Sequence, residues 1–475
     1  YICFRPLNMV AGLFIQQFHQ TINGPTTLNI ANTLVSVKRS ILFTFLVQIP
    51  ALLFGVVAGV FLTRTIGAAG TGSLGVFQAD IDFFVLVLSL SLTNAFIYYI
   101  PGNKLPLNEL LSLGLWIATG GTVLLIGILA LTHAAGGEAF LYTPGFNQLK
   151  YDLFLLGGFL ITVFNSFAIA ILQGFRNFKR VNQVTLINSL LNLSAFGGIY
   201  AAKKAGIFNP DFDLILVITF GILCLNMLLW VYHLKKVLPP DFRFTNKFSP
   251  QTRTIGRFVL LAYLSNVFNF LNYRFDIWVI NYYCKPESLG YYLKAVNLAQ
   301  MLWLVSNPLA TVLAPYLSQT DDSAGTKDFV TRISRLNFTV VLGCAAVMFL
   351  LADFIFPFLY GADFSAAAAP FKVIVFGIFC TCITKIFATY IFSRGKVIYN
   401  LWATVVALVA TIILDLILIP EMGIMGAAVT SVVAYFLVLL VVMFFIVRNF
   451  GFGLRNYFFV KWSDIERLKL IFKGK

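Results

Sequence analysis

Long, uninterrupted apolar runs dominate this sequence and decide what it can fold into. The hydrocarbon core of a bilayer is about 30 Å thick, so a helix crosses it with about 20 apolar residues. Because the runs are continuous rather than alternating, they favour membrane-spanning α-helices over the strands of a barrel. We count twelve such runs, at 41–62, 82–101, 111–132, 152–173, 184–202, 213–234, 256–282, 289–317, 335–357, 369–392, 399–419 and 423–447.

The composition agrees with lipid as the solvent of the chain. Hydrophobic residues make up 59% of the sequence and charged residues 11%, with a mean hydropathy of +0.87. Soluble domains carry about 25% charged residues. Although the net charge is +15, the basic residues cluster in short segments between apolar runs. We therefore expect no nucleic acid partner.

Lys and Arg are distributed unevenly between the two sets of predicted loops. With both termini placed in the cytoplasm, the cytoplasmic segments hold roughly five times as many Lys and Arg residues as the opposite segments. Cytoplasmic loops carry this excess in multi-pass membrane proteins. The sequence therefore predicts a multi-pass protein with both termini cytoplasmic.

A basic connection divides the predicted helices into two sets of six. It reads KKVLPPDFRFTNKFSPQTRTIGR and combines Lys and Arg with proline and polar residues. The predicted organisation is a poorly ordered N-terminal extension at 1–37, a first six-helix bundle at 38–234, a basic cytoplasmic linker at 235–257, a second six-helix bundle at 258–447, and a basic amphipathic cytoplasmic tail at 448–475.

A short repeat links the two halves. Ser73-Leu74-Gly75 follows the first run of the first half, and Ser288-Leu289-Gly290 follows the first run of the second half. The matching position in each half favours an internal duplication. Two parallel six-helix repeats are a known plan of transporters.

Motifs for soluble enzyme chemistry are missing from the sequence. There is no GxxxxGK[ST] motif for nucleotide binding, and His19, His133 and His233 are far apart. The six cysteines show no paired metal spacing. We expect no enzyme activity, no metal site and no cofactor.

Ionisable residues inside the predicted spans are the strongest functional signal, because such groups are costly in lipid and tend to face cavities. The first half is expected to carry none in a span interior and to use uncharged groups instead, among them Asn188 and Asn192. Those two asparagines are four residues apart and share a helix face. The second half carries Arg274, Asp276, Lys294, Asp353, Lys372, Lys385 and Asp415.

Depth separates Lys385 from the other charges. It lies about 6 Å past the middle of the tenth run, where a lysine needs water, a carboxylate or an anionic ligand. We predict that Lys385 lines a central cavity. The others, apart from Arg274, lie within about two turns of a helix end, where snorkelling to the interface explains their presence.

The stretch LNYRFDIWVINYYC carries two opposite charges. Arg274 and Asp276 are two residues apart, about 200° around a helix, so we expect no ion pair between them. Asp276 instead belongs to a polar stripe, and its predicted partner is Lys294 on the next, antiparallel span. The candidate cavity residues for substrate binding are Lys385, Lys294, Asp276, Asn269, Asn266, Asn188 and Asn192.

Four stretches together resemble the polysaccharide-export branch of the multidrug/oligosaccharidyl-lipid/polysaccharide flippase superfamily, over about residues 38–450. They are FLTRTIGAAGTGSLGVFQA, FDIWVINYYCKPESLGYYLKA, FLYGADFSAAAAPFKVI and LIPEMGIMGAAVTSVVAY. The last is the most specific, since its Pro and Gly residues also suit a tight turn. The residues that carry the resemblance as structural motifs are Arg64, Gly67, Gly75, Gly290, Pro420, Gly423 and Gly426.

The resemblance implies an all-α polytopic membrane protein with 12 transmembrane helices in two six-helix bundles, V-shaped around a central cavity. It implies a flippase that moves undecaprenyl-diphosphate-linked oligosaccharide across the bacterial cytoplasmic (inner) membrane by alternating access, for capsule, O-antigen or exopolysaccharide assembly. The implied partners are this substrate and membrane lipids, with contacts to polymerase and export machinery left open. Carboxylates such as Asp276 leave coupling to H⁺ or Na⁺ open.

Two alternatives remain. An ion-coupled multidrug exporter of the same fold is expected to carry acidic residues deep in the first half, and the sequence predicts none there. An integral-membrane polysaccharide polymerase is expected to carry catalytic carboxylates or an Arg-rich loop on one face, and no such loop is found.

Overall fold

Helices make up all the regular secondary structure of the described residues, which confirms the prediction of an all-α fold. The computed structural model describes residues 27–102, 105–135, 148–238, 244–246, 248–319 and 323–453. The helices are α1 Thr27–Leu88, α2 Leu92–Tyr99, α3 Leu107–Ala135, α4 Gln148–Gly174, α5 Phe178–Lys204, α6 Phe212–Lys235, α7 Pro250–Tyr283, α8 Pro286–Ala299, α9 Trp303–Gln319, α10 Ala324–Leu350, α11 Ala352–Tyr360, α12 Ala368–Ser393, α13 Val397–Met422 and α14 Ile424–Phe450.

Within the described residues, nine helical segments are long and apolar enough to cross a membrane. They lie in α1, α3, α4, α5, α6, α10, α12, α13 and α14. The chain is thus a multi-pass membrane protein, but the predicted count of twelve spans is not confirmed. Two of the predicted spans are absent from this count for local reasons. The polar stripe lowers the hydropathy of α7, and a 3₁₀ turn at Gln300–Leu302 separates α8 from α9.

Parts of the predicted terminal and linker segments lie outside the described residues. These parts are 1–26, 239–243, 247 and 454–475. Residues 27–37 of the predicted extension belong to α1, and 250–257 of the predicted linker belong to α7.

The range α1 consists of two helices that meet at a kink at Gly67, and residues 68–81, where the apolar runs suggested a loop, are helical. Gly67 has a φ of 68° and a ψ of −168°, a backbone conformation that is open to glycine and disfavoured for other residues. The Lys203 ammonium donates a hydrogen bond to the carbonyl oxygen of Thr65, just before the kink. Arg64 donates to the Tyr200 hydroxyl at 3.3 Å. The motif residues Arg64 and Gly67 therefore lie at a kink that side chains of α5 stabilise.

The described chain forms two compact units. The N-terminal unit comprises Asn23–Phe270 with Lys285–Gly290, and its core contains the buried Phe96, Phe159 and Trp230. The C-terminal unit comprises residues 271–284 and those from 291 onward. In the C-terminal unit, α12 packs against α9, α10, α13 and α14 and is therefore its central helix. The predicted boundaries of the two bundles stay a prediction.

Within the N-terminal unit, α1 and the start of α8 touch backbone to backbone. A Cβ atom on Gly290 would lie 2.0 Å from the carbonyl oxygen of Ala68, so only glycine fits there. Gly75, the corresponding residue of the first Ser-Leu-Gly repeat, lies within α1.

The turn between α13 and α14 carries the most specific motif. Pro420 lies in the last turn of α13, and Gly423 connects the helices with a φ of 58°. Gly426 begins the close packing of the two helices, because a Cβ atom there would lie 2.3 Å from the carbonyl oxygen of Leu418. Real Cβ atoms do not approach an oxygen so closely, so the motif determines how α13 and α14 pack.

We predict that Gly426→Ala destabilises the folded protein by about 1–3 kcal/mol or more, because the new methyl group forces α13 and α14 apart. Thermal unfolding of the purified protein in detergent measures this effect. Gly127→Ala on α3 is the matched control, since a Cβ at Gly127 meets no atom within 4 Å. Equal melting temperatures for the two variants would contradict the assignment.

Candidate functional site

Lys385 lies on the central helix of the C-terminal unit, about 12 Å before the end of α12 at Ser393. Its ammonium donates a hydrogen bond to Asn307 Oδ1 at 2.6 Å. The same nitrogen lies 4.0 Å from the centre of the Trp303 ring, within cation–π range. Both partners are on α9, so one helix holds the charge through an amide dipole and an aromatic face.

Hydrogen bonds hold the helices together around Lys385. The Trp303 indole N–H donates to Thr381 Oγ1 at 2.8 Å, which sets the orientation of the ring. One turn further along α9, Ser306 donates to Asn337 Oδ1 at 2.8 Å. Asn337 in turn donates to the carbonyl oxygen of Cys382 at 3.0 Å. The polar side chains thus join α9, α10 and α12 beside the lysine.

Neither partner of Lys385 carries a negative charge. Within the described part of the chain, its ammonium contacts only an amide and an aromatic ring and forms no ion pair. Lys372 on the same helix differs, because it pairs with Asp353 at 2.7 Å where both side chains are partly exposed. Lys385 is therefore held by uncharged partners in an apolar span.

Asp276 is buried, with 8% of its surface exposed, and its partner is Tyr292. The Tyr292 hydroxyl donates to Asp276 Oδ2, while Oδ1 has no hydrogen-bond partner among the described residues. The predicted pairing of Asp276 with Lys294 is wrong. Lys294 is two residues after Tyr292 on α8 and so points to a different side, where its ammonium lies 5.4 Å from the centre of the Tyr360 ring.

Arg274 lies within electrostatic range of Asp276, although the two side chains leave α7 in different directions. The long guanidinium side chain therefore acts on the carboxylate across a distance. Its positive charge also reaches Tyr435, a buried residue of α14. The region around Asp276 thus contains a cation besides the carboxylates.

Asp415 on α13 is completely buried, so the prediction that it reaches the interface is wrong. The Thr430 hydroxyl on α14 is close to this carboxylate, but neither it nor the two carboxylate oxygens has a partner in hydrogen-bond geometry. Asp415 and Asp276 lie within electrostatic range of each other. Their helices are tied together one turn earlier, where Thr411 donates to Asn272 Oδ1 at 2.9 Å.

The sequence contained a signal for this carboxylate pair that the depth argument missed. Asn272 and Asp276 are four residues apart on α7, and Thr411 and Asp415 are four residues apart on α13. Such spacing puts each pair on one helix face. Only the packing of α7 against α13 reveals that the two faces meet. In the described residues, no group of three or more His, Cys, Asp and Glu side chains is placed to hold a metal ion.

The N-terminal unit contains a buried carboxylate that the sequence prediction excluded. Asp80 lies in the candidate span of α1, is fully buried and accepts a hydrogen bond from the Tyr151 hydroxyl. The prediction failed because the apolar runs suggested a loop at this position, whereas the helix continues through it. Asp152, the residue after Tyr151, contacts His133 at 2.8 Å.

The predicted asparagines lie in the N-terminal unit. Asn192 Nδ2 donates to the Asn188 carbonyl oxygen at 2.8 Å and lies 3.3 Å from its Oδ1, so the two share one face of α5. Asn266 donates to Ser91 Oγ at 3.2 Å, and Asn269 is exposed and bonds to the backbone of its own helix. Their contact with a substrate stays a prediction.

Comparison with known protein families supports the resemblance found in the sequence. The model of a family described as "Polysaccharide biosynthesis protein" matches residues 149–369. A comparison of the sequence with curated proteins found no significant match.

Solved structures share the fold over most of the chain. A lipid II flippase MurJ in an inward closed conformation has a TM-score of 0.66 and 16% identity, covering 91% of this chain and 93% of that protein. An inward-facing multidrug resistance MATE family transporter of the MOP superfamily has a TM-score of 0.61 and 16% identity, with coverages of 84% and 94%. The Vibrio cholerae MATE transporter VcmN, in a mutant form, has a TM-score of 0.57 and 15% identity, with coverages of 88% and 100%.

By their names these solved structures are a flippase and transporters. The chain therefore shares the fold of these solved structures, and the match of residues 149–369 to the polysaccharide biosynthesis model agrees with the resemblance found in the sequence.

Proposed function

We propose that this protein moves undecaprenyl-diphosphate-linked oligosaccharide across the bacterial cytoplasmic membrane by alternating access. The observation that carries the proposal is Lys385, a charge deep in an apolar helix that is held by uncharged partners. A charge at such depth costs at least about 2.5–3.5 kcal/mol in a membrane helix. A cation that is held in place without being neutralised is suited to bind an anion.

The anionic group of this substrate is its diphosphate. A lysine ammonium acts as a compact point charge toward phosphate oxygens and donates several hydrogen bonds. Asn307 uses one of the three N–H groups of Lys385, so others remain for a ligand. Among the described contacts, no carboxylate competes with the diphosphate for this ammonium.

The asparagines of the N-terminal unit are proposed to bind the sugars. Amide side chains both donate and accept hydrogen bonds, which suits sugar hydroxyls. Asn188, Asn192, Asn266 and Asn269 are partly or fully exposed side chains on α5 and α7. Lys294, partly exposed on α8, is proposed as a second cation for the substrate.

Asp276 and Asp415 are proposed to bind the coupling ion, either H⁺ or Na⁺. Buried carboxylate oxygens without partners are costly, and two such groups near each other favour uptake of a positive charge. The Thr430 hydroxyl is near Asp415, and hard cations prefer oxygen ligands. Arg274, within electrostatic range of Asp276, adds a positive charge to this region.

The second candidate function is an ion-coupled multidrug exporter. The observation that favours it is Asp80, because a buried carboxylate in the first half was the feature that such an exporter was expected to need. Drug sensitivity of a deletion strain distinguishes the two candidates. If deletion sensitises cells to cationic drugs and leaves surface polysaccharide unchanged, the exporter is favoured and the flippase is contradicted.

We predict that Lys385→Ala reduces transport about ten-fold or more at normal membrane levels, because a hydrogen bond to a charged group contributes about 1.5–3 kcal/mol. The measurement is complementation of a deletion strain, scored by lipid-linked repeat units on the cytoplasmic leaflet and by surface polymer. Lys372→Ala is the control, since that lysine is already paired with Asp353.

Two results would contradict this assignment. A fully active Lys385→Ala variant would remove Lys385 from the substrate site. A deletion strain whose lipid-linked repeat units reach the outer leaflet normally but stay unpolymerised would contradict the flippase itself and favour a polymerase.

We predict that Asp415→Asn abolishes the dependence of transport on an ion gradient, because an amide neither takes up a proton nor supplies a negative charge. Transport into proteoliposomes is measured under an imposed Na⁺ gradient and, separately, under an imposed pH gradient. Asp363→Asn, an exposed carboxylate in the turn before α12, is the control. Gradient-driven transport by Asp415→Asn equal to that of the unmodified protein would remove the pair from coupling.

A further inference from the structure

Two polar centres lie in the C-terminal unit, and the side chain of Tyr273 contacts the surroundings of both. The first centre is Lys385 with its ring partner Trp303, and the second is the pair of Asp276 and Asp415. Tyr273 is on α7, three residues before Asp276. Its ring packs on aromatic side chains that adjoin each centre, so its effect on the charged groups passes through these neighbours.

On one side, Tyr273 meets the aromatic partner of the lysine. The Tyr273 and Trp303 rings pack edge to face, with centroids 5.8 Å apart and planes at 76°. Trp303 holds the Lys385 ammonium 4.0 Å from its ring centre and is itself oriented by Thr381. A change in the position of Tyr273 therefore changes the indole that holds the charge.

On the other side, Tyr273 meets the helix that supports the carboxylates. Its ring lies 5.4 Å from the buried Tyr435 ring on α14, centroid to centroid. One turn before Tyr435, Ser431 Oγ lies 3.2 Å from the Tyr292 hydroxyl. Tyr292 donates to Asp276, so the contacts run without a gap from the carboxylate to Tyr273.

A second route connects Tyr273 to Asp415 through Asn272, the preceding residue of α7. Asn272, the neighbour of Tyr273 in the sequence, accepts a hydrogen bond from Thr411 on α13. Asp415 follows Thr411 by one helical turn. A shift at the carboxylate pair can thus reach Tyr273 from two sides, through α14 and through its own helix.

We propose that Tyr273 couples ion uptake at Asp276 and Asp415 to the affinity of Lys385 for an anion. The inference rests on the proposed function of Lys385 and adds how the two sites communicate. Protein interiors are close-packed, so a ring wedged between two aromatic neighbours transmits a shift of one to the other. Such coupling is reciprocal and is typically about 5–150-fold in affinity. Tyr273 is a positioning residue in this scheme.

The test is a double-mutant cycle with inorganic pyrophosphate as the probe. Binding to the full chain in lipid nanodiscs is measured by calorimetry for the unmodified protein, Asp415→Asn, Tyr273→Leu and the double variant. We expect Asp415→Asn to change the pyrophosphate dissociation constant at least about five-fold in the unmodified background. In the Tyr273→Leu background we expect a change of less than about two-fold, because the connection is broken.

Three further variants separate coupling from general damage. Tyr273→Phe keeps the ring and is expected to retain the Asp415→Asn effect. Tyr291→Leu removes a partly buried tyrosine of α8 that packs on Phe364, away from this series of contacts, and is expected to retain it too. Tyr435→Leu breaks the next contact in the series and serves as the second uncoupling variant if Tyr273→Leu does not fold.

The outcomes distinguish this inference from the proposed function. If Asp415→Asn has the same effect in the uncoupling variants as in the unmodified protein, or no effect in either, the role of Tyr273 is contradicted and the flippase proposal stands. If pyrophosphate does not bind the unmodified protein, or binds Lys385→Ala equally well, the proposed role of Lys385 fails and the coupling scheme fails with it.

Discussion

The ammonium of Lys385 beside the Trp303 ring is the interaction from which the proposed function of this protein follows. Water is excluded from the centre of a bilayer, so a charge there must be compensated by the protein itself. A carboxylate would compensate the lysine fully and leave little attraction for a ligand. The aromatic face and the amide of Asn307 compensate it in part, which stabilises the charge and leaves it able to attract an anion.

The architecture of the C-terminal unit serves this arrangement. Helix α12 is central in that unit, so a charge on it can be surrounded by helices on several sides. The Ser306–Asn337–Cys382 hydrogen bonds join three helices beside Lys385. Lys372 differs because it lies nearer the start of α12 and pairs with Asp353 as an exposed charge does. The position of each lysine along α12 therefore decides its partner: Lys372 pairs with a carboxylate, whereas Lys385 contacts only uncharged groups in the described part of the chain.

The carboxylates show the complementary case. Tyr292 satisfies one oxygen of Asp276, while the three other oxygens of the Asp276–Asp415 pair have no hydrogen-bond partner in the part of the chain that the structure describes. Buried acceptors without donors favour a proton or a cation. The proposed anion site and the proposed cation site lie within one compact unit, as an ion-coupled flippase requires if its substrate carries a diphosphate. The buried Asp80 in the N-terminal unit is the observation that favours the drug-exporter alternative.

The sequence by itself determined the solvent of the chain, its helical fold class and the depth of Lys385. These follow from local quantities: the length of the apolar runs and the position of a residue within a run. The i,i+4 relation of Asn188 and Asn192 was equally local, and their hydrogen bond confirms it. The motif glycines came from the family resemblance, and Gly67 and Gly423 have the positive φ angles that kinks and tight turns use.

Only the tertiary structure decided the partners of the charged groups. Depth along each helix suggested that Asp276 meets Lys294, but the rotation of α8 turns Tyr292 toward Asp276 and Lys294 toward Tyr360. Depth also placed Asp415 near the interface, while the packing of α13 buries it completely. Asp80 was missed because a second helix follows the kink at Gly67 where the apolar pattern suggested a loop. The order of residues specifies how far along a helix a side chain lies, whereas the rotation and packing of helices depend on side chains distant in the chain.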